Sequence, residues 1–178
     1  MDKPRGILVF GLNGSGKTTL GRELARVMGF KHLDIEDYCF RESDIPYTDS
    51  RPREEWVALM HADIEKYRSF VASSVKWNWC DDIKSMFVLA IYLSVPVEIR
   101  MKRIYQRAFD KFGKRVLEGG DMYEQQKEFH DFAASRSNSA IEEWAKTLAC
   151  PVLQIDATRD YQESVAEIAR LYGEILQH

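Results

Sequence analysis

The sequence predicts an α/β domain in which a parallel β-sheet is covered on both faces by helices. Short apolar runs alternate with segments of helical period along the whole chain. The first run, Ile7-Leu-Val-Phe10, passes straight into the glycine-rich stretch Gly11 to Thr18, and that stretch straight into a helix-like segment. A length of 178 residues, 45% hydrophobic and 30% charged, supports one good core and is short for two, so a single domain over residues 1–178 is expected.

The candidate strands are Gly6 to Phe10, His32 to Ile35, Ser69 to Val75, Phe87 to Leu93 and Val152 to Ile155. The first helix runs from Lys17 to about Met28, with Leu20, Leu24 and Val27 on one face and Gly29 as its stop. Another begins near Arg53, where Trp56, Met60, Ile64 and Tyr67 recur at helical spacing and read as core. After Pro96 a third presents Val97, Met101, Ile104 and Ala108 inward until Gly113 ends it. Capping boxes open the last two helices, Ser139-x-x-Glu142 before Trp144 and Leu148, and Asp160-x-x-Glu163 before Val165, Ile168, Tyr172 and Ile175.

Gly11-Leu-Asn-Gly-Ser-Gly-Lys-Thr18 is a full match to Gly-x-x-x-x-Gly-Lys-[Ser/Thr]. Gly11, Gly14 and Gly16 allow backbone angles that turn successive N–H groups inward around phosphate oxygens at a helix N-terminus. A flexible turn is also rich in glycine, but it carries neither the Lys-Thr ending nor the strand-to-helix setting. Gly11, Asn13, Gly14, Ser15, Gly16, Lys17 and Thr18 are therefore expected to hold a nucleoside triphosphate such as ATP. Lys17 would reach the outer phosphates, and the Thr18 hydroxyl would ligate the accompanying Mg²⁺. Thr19 reads equally as a packing residue or a further phosphate contact.

In open parallel sheets ligands sit beyond the carboxyl ends of the strands, which orders the remaining candidates. Asp34-Ile-Glu-Asp37-Tyr38, just past the second strand, places carboxylates toward the phosphate loop, where one can orient an acceptor hydroxyl or hold Mg²⁺ through water. An acidic loop that caps a helix is the plain alternative. Arg100, Arg103 and Arg107 fall on one helical stripe, and such a stripe is either solvated or turned to a transferring phosphoryl group; Arg103 and Arg107 are the better candidates. Arg115 and Arg136 flank Gly119-Gly-Asp-Met-Tyr123, a glycine-hinged stretch suited to closing over a nucleotide or to joining two helices. Residues 38–53, with Tyr38, Arg41 and Arg51, form the candidate acceptor loop. Asp81 and Asp82 fit a metal carboxylate or a surface turn, and Trp77-Asn-Trp79 fits a pocket wall or, more simply, core.

Net charge of −3 and the lack of a long Lys/Arg run argue against a nucleic-acid or anionic-membrane partner. No apolar segment approaches the roughly 20 residues that span a bilayer, and the first residues lack a signal-peptide pattern, so a cytoplasmic protein is expected. Cys39, Cys80 and Cys150 are odd in number and unpaired in spacing, and the four histidines are scattered, so neither a disulfide framework nor a zinc site is indicated.

With these residues in place, the chain resembles the small P-loop kinases of the adenylate kinase, shikimate kinase and nucleoside kinase group. Gly11 to Thr18 matches their nucleotide loop, Asp34 and Asp37-Tyr38 resemble the acidic element after the second strand, and Arg103 and Arg107 resemble the arginines that open the lid. The resemblance implies the P-loop NTPase three-layer sandwich, a five-stranded parallel sheet in order 2-3-1-4-5, a helical lid over about 107–136, and a loop after Asp156 to Arg159 near adenine. It also implies an ATP-dependent transfer of the γ-phosphoryl group to a nucleoside, nucleotide or similar small polar metabolite. Lys17, Asp34, Arg103 and Arg107 would be catalytic, and Asp37, Tyr38, Arg41, Arg51 and Arg136 would contact the acceptor. The chain departs from the family in lacking a clean acceptor-arginine signature, a zinc-bearing lid, and an acidic partner for Mg²⁺ after Ser73-Ser74. A nucleotide-dependent switch or ATPase without a small-molecule acceptor is the alternative, although no guanine-selecting Asn-Lys-x-Asp occurs.

Overall fold

Ile7, Leu8, Val9 and Phe10 are fully buried because β1 (Arg5–Phe10) runs through the middle of a sheet that is covered on both faces. The computed structural model describes residues 3–177; Met1, Asp2 and His178, the ends of the expected domain, lie outside them. From β1 the chain continues through α1 (Lys17–Met28), β2 (Lys31–Asp34), α2 (Ile35–Cys39), α3 (Arg53–Tyr67), β3 (Ser69–Ser74) and α4 (Asp81–Lys84). It ends with β4 (Phe87–Ser94), α5 (Val97–Phe112), a 3₁₀ turn (Gly113–Val116), α6 (Tyr123–Ser135), α7 (Asn138–Ala145), β5 (Val152–Asp156) and α8 (Tyr161–Ile175).

The five strands pair in parallel in the order β2-β3-β1-β4-β5, as the resemblance implies. Successive side chains of β1 point to opposite faces and so enter two different cores. Leu8 and Phe10 join Leu33, Phe70, Trp77 and the inward side of α3, namely Trp56, Met60 and Ile64. Ile7 and Val9 join Leu20 and Leu24 of α1 with Val165, Ile168 and Tyr172 of α8. Two helical layers therefore sandwich the sheet.

The strands match the expected positions to within a residue, and the differences have local causes. Ile35 leaves the second strand because the Asp34 side chain accepts from the Glu36 amide and starts α2, so the acidic element is a short helix and not a loop. α7 begins at Asn138 with Ser137 as its N-cap, which puts Ser139 inside the helix, and the Ser139 capping box does not form. Asp160 does cap α8, accepting from the Gln162 amide at 2.7 Å. Val27, Tyr67 and Val97 face outward, at 50%, 45% and 37% exposure, because each lies at a helix end beyond the packed stripe. Asp81 and Asp82 open the single-turn helix α4, and Trp77 is fully buried core.

The end of α5, the 3₁₀ turn and α6, where a lid is expected, gather around a small cluster of Ala108, Val116 and Met122. Arg115 fastens it to the candidate acceptor loop, pairing with Asp44 at 2.9 Å and Asp121 at 2.8 Å.

Candidate active site

Gly14, in the loop between β1 and α1, has φ +81°, and a Cβ there would stand 2.5 Å from the Arg100 carbonyl oxygen. Only glycine lets α5 approach the loop this closely. Gly21, one turn into α1, is equally constrained, since a Cβ would meet Ser73 Oγ at 2.3 Å. The loop is thereby held against α5 and the helix against the end of β3. Ser15 Oγ is buried in the loop with no hydrogen-bond partner, a polar atom that a bound oxyanion can satisfy.

Cations crowd this loop without enough anions to balance them. Burial pulls the Lys17 ammonium down to about 8, against the opposing pull of Glu36 and Asp34, and its Nζ donates to the Leu12 carbonyl at 3.2 Å. Burial likewise lowers Arg136, and lowers Arg100 together with the repulsion of Arg136. Desolvated cations of this kind favour an incoming polyanion, whose charge would restore theirs. Thr18 donates its hydroxyl to Asp34 Oδ2 at 2.6 Å, which brings two hard oxygen donors together beside the loop. This set suits Mg²⁺, which prefers oxygen ligands and keeps several waters. Ser73, at the end of β3, pairs with His32 at 2.9 Å and donates to the Lys17 carbonyl, so the position that could carry an acidic Mg²⁺ partner instead braces α1.

Two cavities open on either side of the loop. One, of about 370 Å³, runs from Gly14 to Leu20 past Arg103, Ile104 and Arg107 to Ala157, Arg159 and Tyr161. The other, of about 290 Å³, is lined by Asp34, Glu36, Cys39, Phe40, Ser73, Ser74 and Trp79. Gly14, Lys17, Thr18 and Arg107 line both. Arg107 makes no hydrogen bond or ion pair among the described residues, so its guanidinium is uncommitted where the cavities meet.

The other sequence candidates are distributed as follows. Gly14, Ser15, Gly16, Lys17, Thr18 and Thr19 line the first cavity, and Asn13 the second. Arg103 donates to the Ala157 carbonyl at 2.8 Å and so holds the loop after β5 against the first cavity. Arg136 reaches Asn13 Oδ1 at 3.3 Å, placing it on the phosphate loop and not in the acceptor loop's cavity. Arg100 is not part of a solvated stripe: it is buried, donating to the carbonyls of Asn13, Ala133 and Arg136. Tyr38 turns away onto Asp63 at 2.5 Å, and burial with that contact raises its phenol. Arg41 is taken up by Asp49 and Glu55, and Arg51 by the carbonyls of Asp37, Tyr38 and Phe40, which end α2. Asp37 and these two arginines do not line either cavity. Glu36, Cys39, Phe40 and Trp79 do line the second one; the acidic spacing signalled Glu36, Trp79 takes the pocket-wall place and not the simpler core one, and nothing in the sequence signalled Cys39 or Phe40 as lining.

No protein-family profile matches the chain. YqaC, an uncharacterised protein of Bacillus subtilis (strain 168), is 31% identical over 172 residues, which covers 92% of this chain and 95% of YqaC. A gluconokinase from Sinorhizobium meliloti 1021 superposes with a TM-score of 0.50 at 16% identity, covering 99% of this chain and 98% of that one. Shikimate kinase from Acinetobacter baumannii, in complex with shikimate, superposes with a TM-score of 0.54 at 19% identity, covering 97% and 94%. The likeness to both structures lies in the fold.

Proposed function

The chain belongs to one family with YqaC and has the fold of the small P-loop kinases; on that premise we propose that it is an ATP- and Mg²⁺-dependent kinase acting on a small polar metabolite. What carries the reading is the pair of cavities that meet at Gly14, Lys17, Thr18 and Arg107. Transfer of a phosphoryl group needs donor and acceptor oxygens roughly in line on opposite sides of phosphorus, and catalysis consists mostly of positioning and charge stabilisation. A donor cavity and an acceptor cavity that share their cationic residues supply that arrangement. A switch or simple ATPase has no use for the second cavity.

In this reading ATP lies in the larger cavity, with its base toward Ala157, Arg159 and Tyr161 and its phosphates on the amides of residues 13–18. Mg²⁺, held by Thr18 with Asp34 through water, would neutralise phosphate charge. Lys17 binds the outer phosphates, and Arg107 follows the transferring group from one cavity to the other. Asp34 orients the acceptor hydroxyl and takes its proton as the new O–P bond forms and the bond to ADP breaks. Arg136 acts from the loop side through Asn13 and does not touch the acceptor. Asp34, Glu36, Ser73 and Ser74 present hydrogen-bonding groups beside Phe40 and Trp79, a lining that suits a hydroxyl-rich compound such as a sugar derivative, hydroxy acid or nucleoside.

The test is ADP release from Mg·ATP against a panel of such compounds. The reading expects one class to stimulate turnover well above the basal rate and Trp79→Ala to raise the KM of that acceptor more than that of ATP. Turnover indifferent to every small compound, yet stimulated by a protein, would favour the switch.

A further inference from the structure

We infer that His61, Cys80 and Asp82 form a binding site for a Zn²⁺-class metal ion, separate from the phosphate-transfer centre. Cys80 and Asp82 are neighbours in sequence, but His61 lies 19 positions before Cys80, so no metal-ligand spacing joins the three. The fold brings them together: His61 lies in the middle of α3, Cys80 is the N-cap of α4, and Asp82 is in the first turn of α4. Their ligand atoms all lie within 4.8 Å of one another. His61 Nε2 is 2.9 Å from Asp82 Oδ2 and 3.8 Å from Cys80 Sγ, and Cys80 Sγ is 2.5 Å from Asp82 Oδ1.

Bond lengths of about 2.3 Å to sulfur and 2.0–2.1 Å to nitrogen or oxygen place the donors of a tetrahedral site roughly 3.3–3.6 Å apart. The two histidine distances fall within about half an ångström of that range. The sulfur–oxygen approach is shorter and opens when an ion takes the place of the thiol proton. A thiolate, an imidazole and one carboxylate make a borderline-soft donor set, which selects Zn²⁺ or Co²⁺ over the Mg²⁺ that serves phosphates. On binding, the Cys80 S–H bond breaks, its proton passes to solvent and a sulfur–metal bond forms. Thiolate and carboxylate then balance the dication, with His61 neutral and water in the fourth position. His61 and Cys80 are half-buried and Asp82 is exposed, so the ion has a way in.

The position gives the ion work to do. Cys80 directly follows Trp79, which walls the second cavity, and Trp77 Nε1 donates to the Cys80 carbonyl at 3.1 Å. An ion at Cys80 would fix the segment between the core indole of Trp77 and α4, and with it the cavity wall.

The test uses the full chain stripped with a chelator, dialysed, and titrated with Co²⁺ and then Zn²⁺. Expected is one equivalent of cobalt with a sulfur-to-metal charge-transfer absorption that zinc bleaches. The band should vanish in Cys80→Ser, and Asp82→Asn should weaken binding by about tenfold or more. No band, or a band that survives Cys80→Ser and disappears in Cys39→Ser or Cys150→Ser, overturns the site. Far-UV circular dichroism and Mg·ATP affinity check that the variants fold. Should Cys80→Ser not fold, Asp82→Asn decides alone, because its side chain is exposed, and unchanged cobalt affinity there would also overturn the inference.

Discussion

Arg136 and Asn13 stand 123 positions apart in the chain, yet Arg136 Nη1 donates to Asn13 Oδ1 at 3.3 Å. The contact joins the residue that ends α6 to the middle of the phosphate loop, and Arg100 reinforces it by donating to backbone carbonyls on both sides. The end of α6 and the phosphate loop are thus tied together with no nucleotide between them. Arg136→Ala is expected to raise the KM for ATP by about tenfold, the worth of one charge-assisted hydrogen bond, and to change the acceptor KM far less. Steady-state kinetics with each substrate varied in turn separates the two effects.

Arg100 is a structural cation, since its guanidinium is buried among carbonyl oxygens. Arg100→Met should cost on the order of 3 kcal/mol in urea unfolding, because several buried acceptors lose their donor at once. Arg103→Met, on the exposed side of the same helix, should cost much less while loosening the loop that carries Ala157.

Lys17 provides a pH signature. Its ammonium falls from 10.5 to about 8 in the ligand-free fold, chiefly through burial. The unfolded chain therefore binds more protons between these values, and the free protein should gain stability as pH rises from about 8 toward 10.5; below that window the cost of burying the charged ammonium is fully present and no longer varies with pH. A bound triphosphate restores the proton. Nucleotide binding at pH 8 should take up about half a proton, read by calorimetry in buffers of different ionisation enthalpy. Lys17→Met should abolish that uptake.

The strands and the phosphate loop were legible because they rest on local signals: apolar runs, helical periods, and glycines at fixed spacing; the strand order came only through the resemblance to the small P-loop kinases. Helix α6 was not legible. Ala133 is its one buried residue, so Tyr123–Ser135 carries no apolar stripe to announce a helix. The arginines were the hardest to read, because sequence shows a guanidinium but not its partner. Arg100 and Arg107 lie two turns apart on one helix, and the fold buries the first and leaves the second at the meeting of two cavities. Arg51 ends α2 through three carbonyls that only the folded loop brings to it.

Asp34 holds the Thr18 hydroxyl and lines the acceptor cavity, whereas Asp37 lines neither cavity. Asp34→Asn should lower kcat by about a hundredfold or more and raise the Mg²⁺ concentration needed for half-maximal rate. Asp37→Asn should leave both close to wild type. Magnesium titrations at saturating ATP make the comparison.

The destination of the γ-phosphoryl group tests the account at its centre. With γ-labelled ATP, Mg²⁺ and the stimulating acceptor, label should appear in a small phosphorylated product in step with ADP, and Arg107→Ala should suppress that product more strongly than it weakens ATP binding. Label released solely as inorganic phosphate, at a rate no acceptor changes, would contradict the assignment of the second cavity and the kinase with it.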